Sequence, residues 1–108
     1  MVVRKDEDSG RDLGGGIFMK KLGCGGNMNA LHWDMLDGSE IPLHSHPYEQ
    51  FGYVISGGFV INIDDEISEI HAGDCYYIPP NAVHTFKAIG PTEAIDVFSP
   101  IKTDIPGE

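Results

Sequence analysis

Basic residues are scarce in this chain: seven Lys and Arg face seventeen Asp and Glu, for a formal charge of −10. Affinity for nucleic acid or anionic lipid depends on clustered Lys and Arg, so neither is an expected partner. Long apolar runs are also missing. Nothing approaches the roughly 18 consecutive apolar residues that a membrane-spanning helix needs. The opening MVVRKDEDSG has no apolar stretch after its charges, unlike a secretory leader, so a cytoplasmic location is expected. There are two cysteines, Cys24 and Cys75, far apart and outside any CxxC pattern. They read as reduced thiols rather than a disulfide, and neither reads as a nucleophile. Finally, no segment sustains a period of 3.6, so little helix is expected.

What the chain does have is punctuation. From Ile17 onward, turn residues recur about every ten positions: Gly25-Gly26-Asn27, Asp37-Gly38, Gly57-Gly58, Asp64-Asp65, Ala72-Gly73-Asp74, Pro79-Pro80-Asn81 and Gly90-Pro91. The stretches between them are short and rich in β-branched and aromatic residues. Strands are predicted over 17–22, 28–36, 41–46, 50–56, 59–64, 67–71, 74–78, 84–89 and 93–99. Many short, evenly spaced strands predict an all-β chain, a small antiparallel β-barrel or sandwich. Residues 1–16 are polar and end in Gly14-Gly15-Gly16. Such a composition buries little apolar surface, so 1–16 is expected to be a flexible N-terminal tail and 17–108 a single domain.

Along 50–63 the odd positions Phe51, Tyr53, Ile55, Phe59, Ile61 and Ile63 are all large and apolar. The even positions Gln50, Gly52, Val54, Ser56, Val60 and Asn62 are smaller and partly polar. One face is therefore expected to be greasy and the other to line a pocket. The greasy face reads either as core between two sheets or as a dimer surface, and a homodimer is the expected assembly.

The chemically informative run is Gly38-Ser-Glu-Ile-Pro-Leu-His44-Ser-His46-Pro-Tyr-Glu-Gln50. Two histidines at i and i+2 on a strand point to one face, so both imidazoles can meet one ion. Gln50 lies a further even step along and offers a neutral amide oxygen. Glu49 has the opposite parity, and would replace Gln50 as ligand only if the strand bulged after Pro47. His84 opens another strand and is expected to approach from across the barrel. Three imidazoles and one oxygen suit one divalent transition metal (Mn, Fe, Ni, Zn or Co) with positions left open. In so acidic a chain the ion is also the natural attractor for a small anionic molecule.

Gly38-x5-His44-x-His46-x3-Gln50-x6-Gly57 resembles the first cupin motif, with Gln where Glu is usual. Gly73-x5-Pro79-x-Asn81-x2-His84 resembles the second, with Asn81 in place of its glycine and Ala88 in place of its final asparagine. The resemblance covers residues 17–104 and implies the double-stranded β-helix, jelly-roll-like and RmlC-like, of small single-domain cupins. The run Ala94-Ile95-Asp96-Val97-Phe98-Ser99-Pro100, taken with His44 to Gln50, resembles the uronate-linearising cupins of pectin and alginate breakdown. That likeness implies a lyase or isomerase that opens 4,5-unsaturated uronates or a related sugar acid. It implies His44, His46, Gln50 and His84 as metal ligands, Asp96 as the catalytic acid–base and Phe98 as the pocket aromatic. It also implies Lys102 as the basic residue after the strand, where those enzymes carry an arginine. A metal-dependent dioxygenase and a non-enzymatic small-anion binder use the same scaffold and remain open alternatives.

Overall fold

The computed structural model describes residues 1–106, and among these no helix forms. Ten strands run β1 (Arg11–Gly14), β2 (Ile17–Cys24), β3 (Asn29–Met35), β4 (Glu40–His44) and β5 (Glu49–Ser56). They continue with β6 (Gly58–Ile63), β7 (Glu66–His71), β8 (Cys75–Ile78), β9 (His84–Ala88) and β10 (Thr92–Ser99). All the pairings are antiparallel, in a six-stranded sheet ordered β1-β2-β3-β10-β5-β8 and a four-stranded sheet ordered β4-β9-β6-β7. The two sheets enclose a core of Val54, Phe59, Ile61, Tyr76, Ile78 and Phe86. A second buried group, Met19, Leu31, Trp33, Tyr48 and Phe98, fills the other end.

Two expectations change. The stretch taken as a tail through residue 16 contains β1, which pairs with β2 and brings Leu13 against the second buried group. Asp12 and Gly14, which look like tail composition, make a local turn instead: Gly14 N–H donates to the Asp12 carboxylate at 2.8 Å. The continuous greasy face over 50–63 is also broken. In β5 the even residues Gln50, Gly52 and Val54 are buried, while Phe51, Tyr53 and Ile55 are exposed. In β6 the odd residues Phe59 and Ile61 are buried. The phase flips because the chain crosses from one sheet to the facing one at Gly57-Gly58. A Cβ at Gly57 would stand 2.2 Å from the Pro91 carbonyl oxygen, and one at Gly58 would stand 2.4 Å from that of Ile70. Only glycine permits so tight a crossing.

The turn at Pro79-Pro80-Asn81 has a related explanation. Asn81 adopts φ +67°, the left-handed region that Gly and Asn tolerate, so an asparagine can stand where the motif this segment resembles has glycine.

Candidate metal centre

Residues Gln50, Asp96 and Phe98 lie on the inner face of the six-stranded sheet, and His44 and His84 on the four-stranded one. His44 and His84 are direct cross-strand partners on β4 and β9, so His84 comes from the adjacent strand and not from across the barrel. His46 lies just past the end of β4, in the link to β5, and Gln50 is the second residue of β5. The side chains still converge. The ring nitrogens of His44, His46 and His84 fall within 4.8 Å of one another. Glu49 is exposed and paired with Ser99, while Gln50 is buried beside the histidines.

All three imidazoles are held the same way. Nδ1 of His44 meets the Pro42 carbonyl at 2.8 Å, that of His46 the Tyr48 carbonyl at 2.9 Å, and that of His84 the Ala82 carbonyl at 2.9 Å. A carbonyl can only accept, so each Nδ1 carries the proton and each Nε2 presents a lone pair. Burial lowers the pKa of all three, His84 to about 4, and keeps them neutral. Nε2 of His84 is fully buried and has no hydrogen-bond partner.

The Gln50 amide completes the argument. Its nitrogen donates to the Asp96 carboxylate, which fixes the amide's orientation. Oε1 then faces His46 Nε2 at 3.0 Å, lone pair against lone pair. Three converging imidazole lone pairs and an amide oxygen, one of them an orphan at zero exposure, fit a divalent transition metal.

Beside this cluster is a pocket of about 250 Å³, bounded by Trp33, Phe86, Asp96, Phe98, Lys102 and Asp104 among others. Asp96 is 4% exposed, and desolvation pushes its pKa up to about 6. Donation from Tyr76 Oη to Asp96 Oδ1 at 2.6 Å and from Gln50 opposes that rise. The Trp33 indole N–H also favours the charged form, though it makes no hydrogen bond of good geometry. The Tyr76 contact was not legible beforehand. Asp96, Gly52 and Tyr76 form one row across β10, β5 and β8, and the phenol crosses over the glycine. A Cβ at Gly52 would lie 2.0 Å from the Tyr76 ring. A glycine inside an otherwise regular strand was the available signal.

Lys102 lies past β10 and is 8% exposed. Its backbone is clamped by Asn29, whose side chain donates to the Lys102 carbonyl at 3.0 Å and accepts from its N–H at 2.9 Å. Lys102 Nζ donates to Tyr48 Oη at 3.3 Å and Asp104 Oδ1 at 3.2 Å, and sits 5.0 and 5.2 Å from the Tyr48 and Phe98 ring centres. Burial lowers its pKa. A larger groove of about 500 Å³ lies between the N-terminal segment, β2 and the C-terminal segment, away from the histidine rings. Among the described residues it brings no group of metal ligands together, so the chemistry is sought in the smaller pocket.

Residues 31–98 match the family model described as a cupin domain, which is more than half the chain. Protein SchB of Streptomyces halstedii is 39% identical over 62 residues, covering 56% of this chain and 45% of that protein. The chain therefore spans under half the length of the curated relatives it matches. An RmlC-like cupin from Shewanella frigidimarina superposes with a TM-score of 0.89 at 30% identity, covering 95% of this chain and 93% of the other. KdgF from Halomonas sp. superposes with a TM-score of 0.89 at 26% identity, covering 96% of both chains. Two facing antiparallel sheets, a histidine triad between them and a matching stretch that runs from β3 to β10 agree on one answer: the chain belongs to the cupin family.

Proposed function

We propose that the chain holds one divalent transition metal on His44, His46, Gln50 and His84 and opens the ring of 4,5-unsaturated uronates to linear keto acids. The observation that carries this reading is Asp96, a buried carboxylate with a pKa of about 6, in the same pocket as the triad. A general acid–base works best with a pKa near the working pH. The resemblance of the His44–Gln50 and Ala94–Pro100 runs to the uronate-linearising cupins supports the same substrate class.

A bound ion would supply Lewis-acid polarisation of substrate oxygens. The chain's own groups do the rest. The Lys102 ammonium draws in the uronate carboxylate, taking the place now held by the Asp104 carboxylate at 3.2 Å. Trp33 and Phe98 wall the pocket and exclude water from the reacting ring. Asp96 accepts the hydroxyl proton as the ring opens and returns it to carbon as the enol becomes a ketone. Tyr76 and Gln50 donate to the carboxylate and hold it in place for that transfer.

The test is loss of the unsaturated chromophore, with NMR identification of the open-chain product. Asp96→Asn is expected to lower kcat by about 10²- to 10⁴-fold while the metal stays bound. A wild-type rate in that variant makes Asp96 a structural carboxylate. A wild-type protein that binds uronate without converting it is a binding module, and the enzymatic reading is then abandoned.

A further inference from the structure

The segment that follows β10 is pinned at two points. Asn29 clamps the Lys102 backbone through its amide, and Ile105 packs against the buried group of Met19, Leu31, Trp33, Tyr48 and Phe98. Asp104 stands between these anchors and borders the metal pocket. Its carboxylate accepts from Lys102 Nζ at 3.2 Å and acts electrostatically on His44 and His46 as well. The two partners differ in setting, for the Lys102 side chain is 9% exposed and that of Asp104 is 69% exposed. Lys102 is thus fixed in place, while the Asp104 carboxylate can turn to water by rotating its own side chain.

Among the described residues that border the pocket, Lys102 is the one Lys or Arg, and Asp96 and Asp104 are the two acids. Asp104 therefore cancels the pocket's own attraction for an anion. A carboxylate tethered beside its partner also acts at a high effective concentration. A free halide or phosphate brings Lys102 only the kind of contact that Asp104 already makes, and loses to it. A sugar acid whose carboxylate meets Lys102 while its ring lies against Trp33 and Phe98 adds contacts that Asp104 lacks.

Building on the sugar-acid reading of this pocket, we propose that Asp104 is a resident carboxylate that sets its specificity. Asp104 fills the anion site on Lys102, keeps small inorganic anions out, and yields to a larger ligand that carries its own carboxylate.

Trp33, the one tryptophan of the chain, borders the same pocket and reports on it. Iodide quenches its fluorescence as an anion and acrylamide as a neutral molecule. Asp104→Asn keeps the shape of the side chain without its charge. It is expected to raise the iodide quenching constant about twofold at fixed total salt, with acrylamide unchanged. Adding Lys102→Met is expected to cancel the rise. Glu69→Gln on β7, at the far edge of the four-stranded sheet from His44, removes the same charge and is expected to quench as wild type does. Should the new amide still cover the ammonium, Asp104→Ala removes it. Saturated galacturonate is expected to bind Asp104→Asn roughly fivefold more tightly than wild type by calorimetry, and galactose no differently. Unchanged iodide quenching in both Asp104 variants overturns the proposal, as does a rise matched by acrylamide or by Glu69→Gln. Weaker galacturonate binding in Asp104→Asn also overturns it. Iodide entry that responds to Asp104 while neither protein binds galacturonate leaves the gate standing and removes the sugar-acid reading instead.

Discussion

Asp96 is the residue whose behaviour is set most by its surroundings. Its carboxylate gives up water for the hydroxyl of Tyr76 and the amide of Gln50, and the exchange leaves its pKa near 6 against an ordinary 3.8. The folded chain thus binds this proton more tightly than the unfolded one. The resulting stability is fully present below about pH 3.8 and is lost as pH rises through 6. His84 runs the other way: its pKa falls from 6.5 to about 4, so its contribution is complete above 6.5 and is lost as pH drops through 4. His44 and His46 share that direction through burial. The two effects oppose each other between pH 4 and 6, and Asp96→Asn removes only the first. In the metal-free protein, that variant is expected to gain on wild type by up to roughly 3 kcal/mol as pH rises through this window. Urea unfolding at pH 4 and pH 7 measures it. A difference that does not grow with pH means the carboxylate is as well solvated folded as unfolded.

Among the elements, β1 and the β5–β6 crossing were hidden in the sequence for different reasons. Strand β1 is four residues long and polar in character, and it exists because β2 offers an edge to pair with. Composition sees only its own residues and misses that partner. Removing residues 1–14 takes away the edge pairing and the packing of Leu13, and is expected to lower the melting temperature by more than about 5 °C, or roughly 1 kcal/mol. An unchanged melting temperature on differential scanning calorimetry would restore the tail. The crossing at Gly57-Gly58 misled in another way. Period-2 alternation fixes which residues share a face within one strand, but it cannot carry phase through a link that passes from sheet to sheet. The nine strands from β2 to β10 fall close to their predicted ranges because alternation and turn residues are local signals.

At the level of the whole molecule, the candidate centre ties the two sheets together. His44 and His84 belong to the four-stranded sheet, Gln50 to the six-stranded one, and His46 to the link between them. Metal bound only by the folded chain adds stability in proportion to RT ln(1 + [L]/Kd). Stripping the protein with a chelator is therefore expected to lower its melting temperature by about 10 °C, corresponding to roughly 2–3 kcal/mol for a domain of this size. His84→Ala, which deletes a ligand at zero exposure, is expected to melt at one temperature with or without chelator. A chelator response in that variant equal to wild type places the metal elsewhere.

The sequence by itself determined the all-β architecture and set His44, His46 and Gln50 in one segment, because turns, alternation and i, i+2 spacing act within a few residues. His84 entered through its likeness to the second cupin motif. Asp96 and Phe98 entered as pocket residues through the resemblance of the Ala94–Pro100 run. Only the tertiary structure decided that Gln50 rather than Glu49 turns inward, that Tyr76 reaches Asp96 across Gly52, and that Asn29 anchors Lys102 at the pocket. It likewise decided that Phe51, Tyr53 and Ile55 face out while Phe59 and Ile61 face in. Each of these depends on which strands become neighbours and on what a buried group finds beside it, and such long-range pairings are set by the packing of the whole chain.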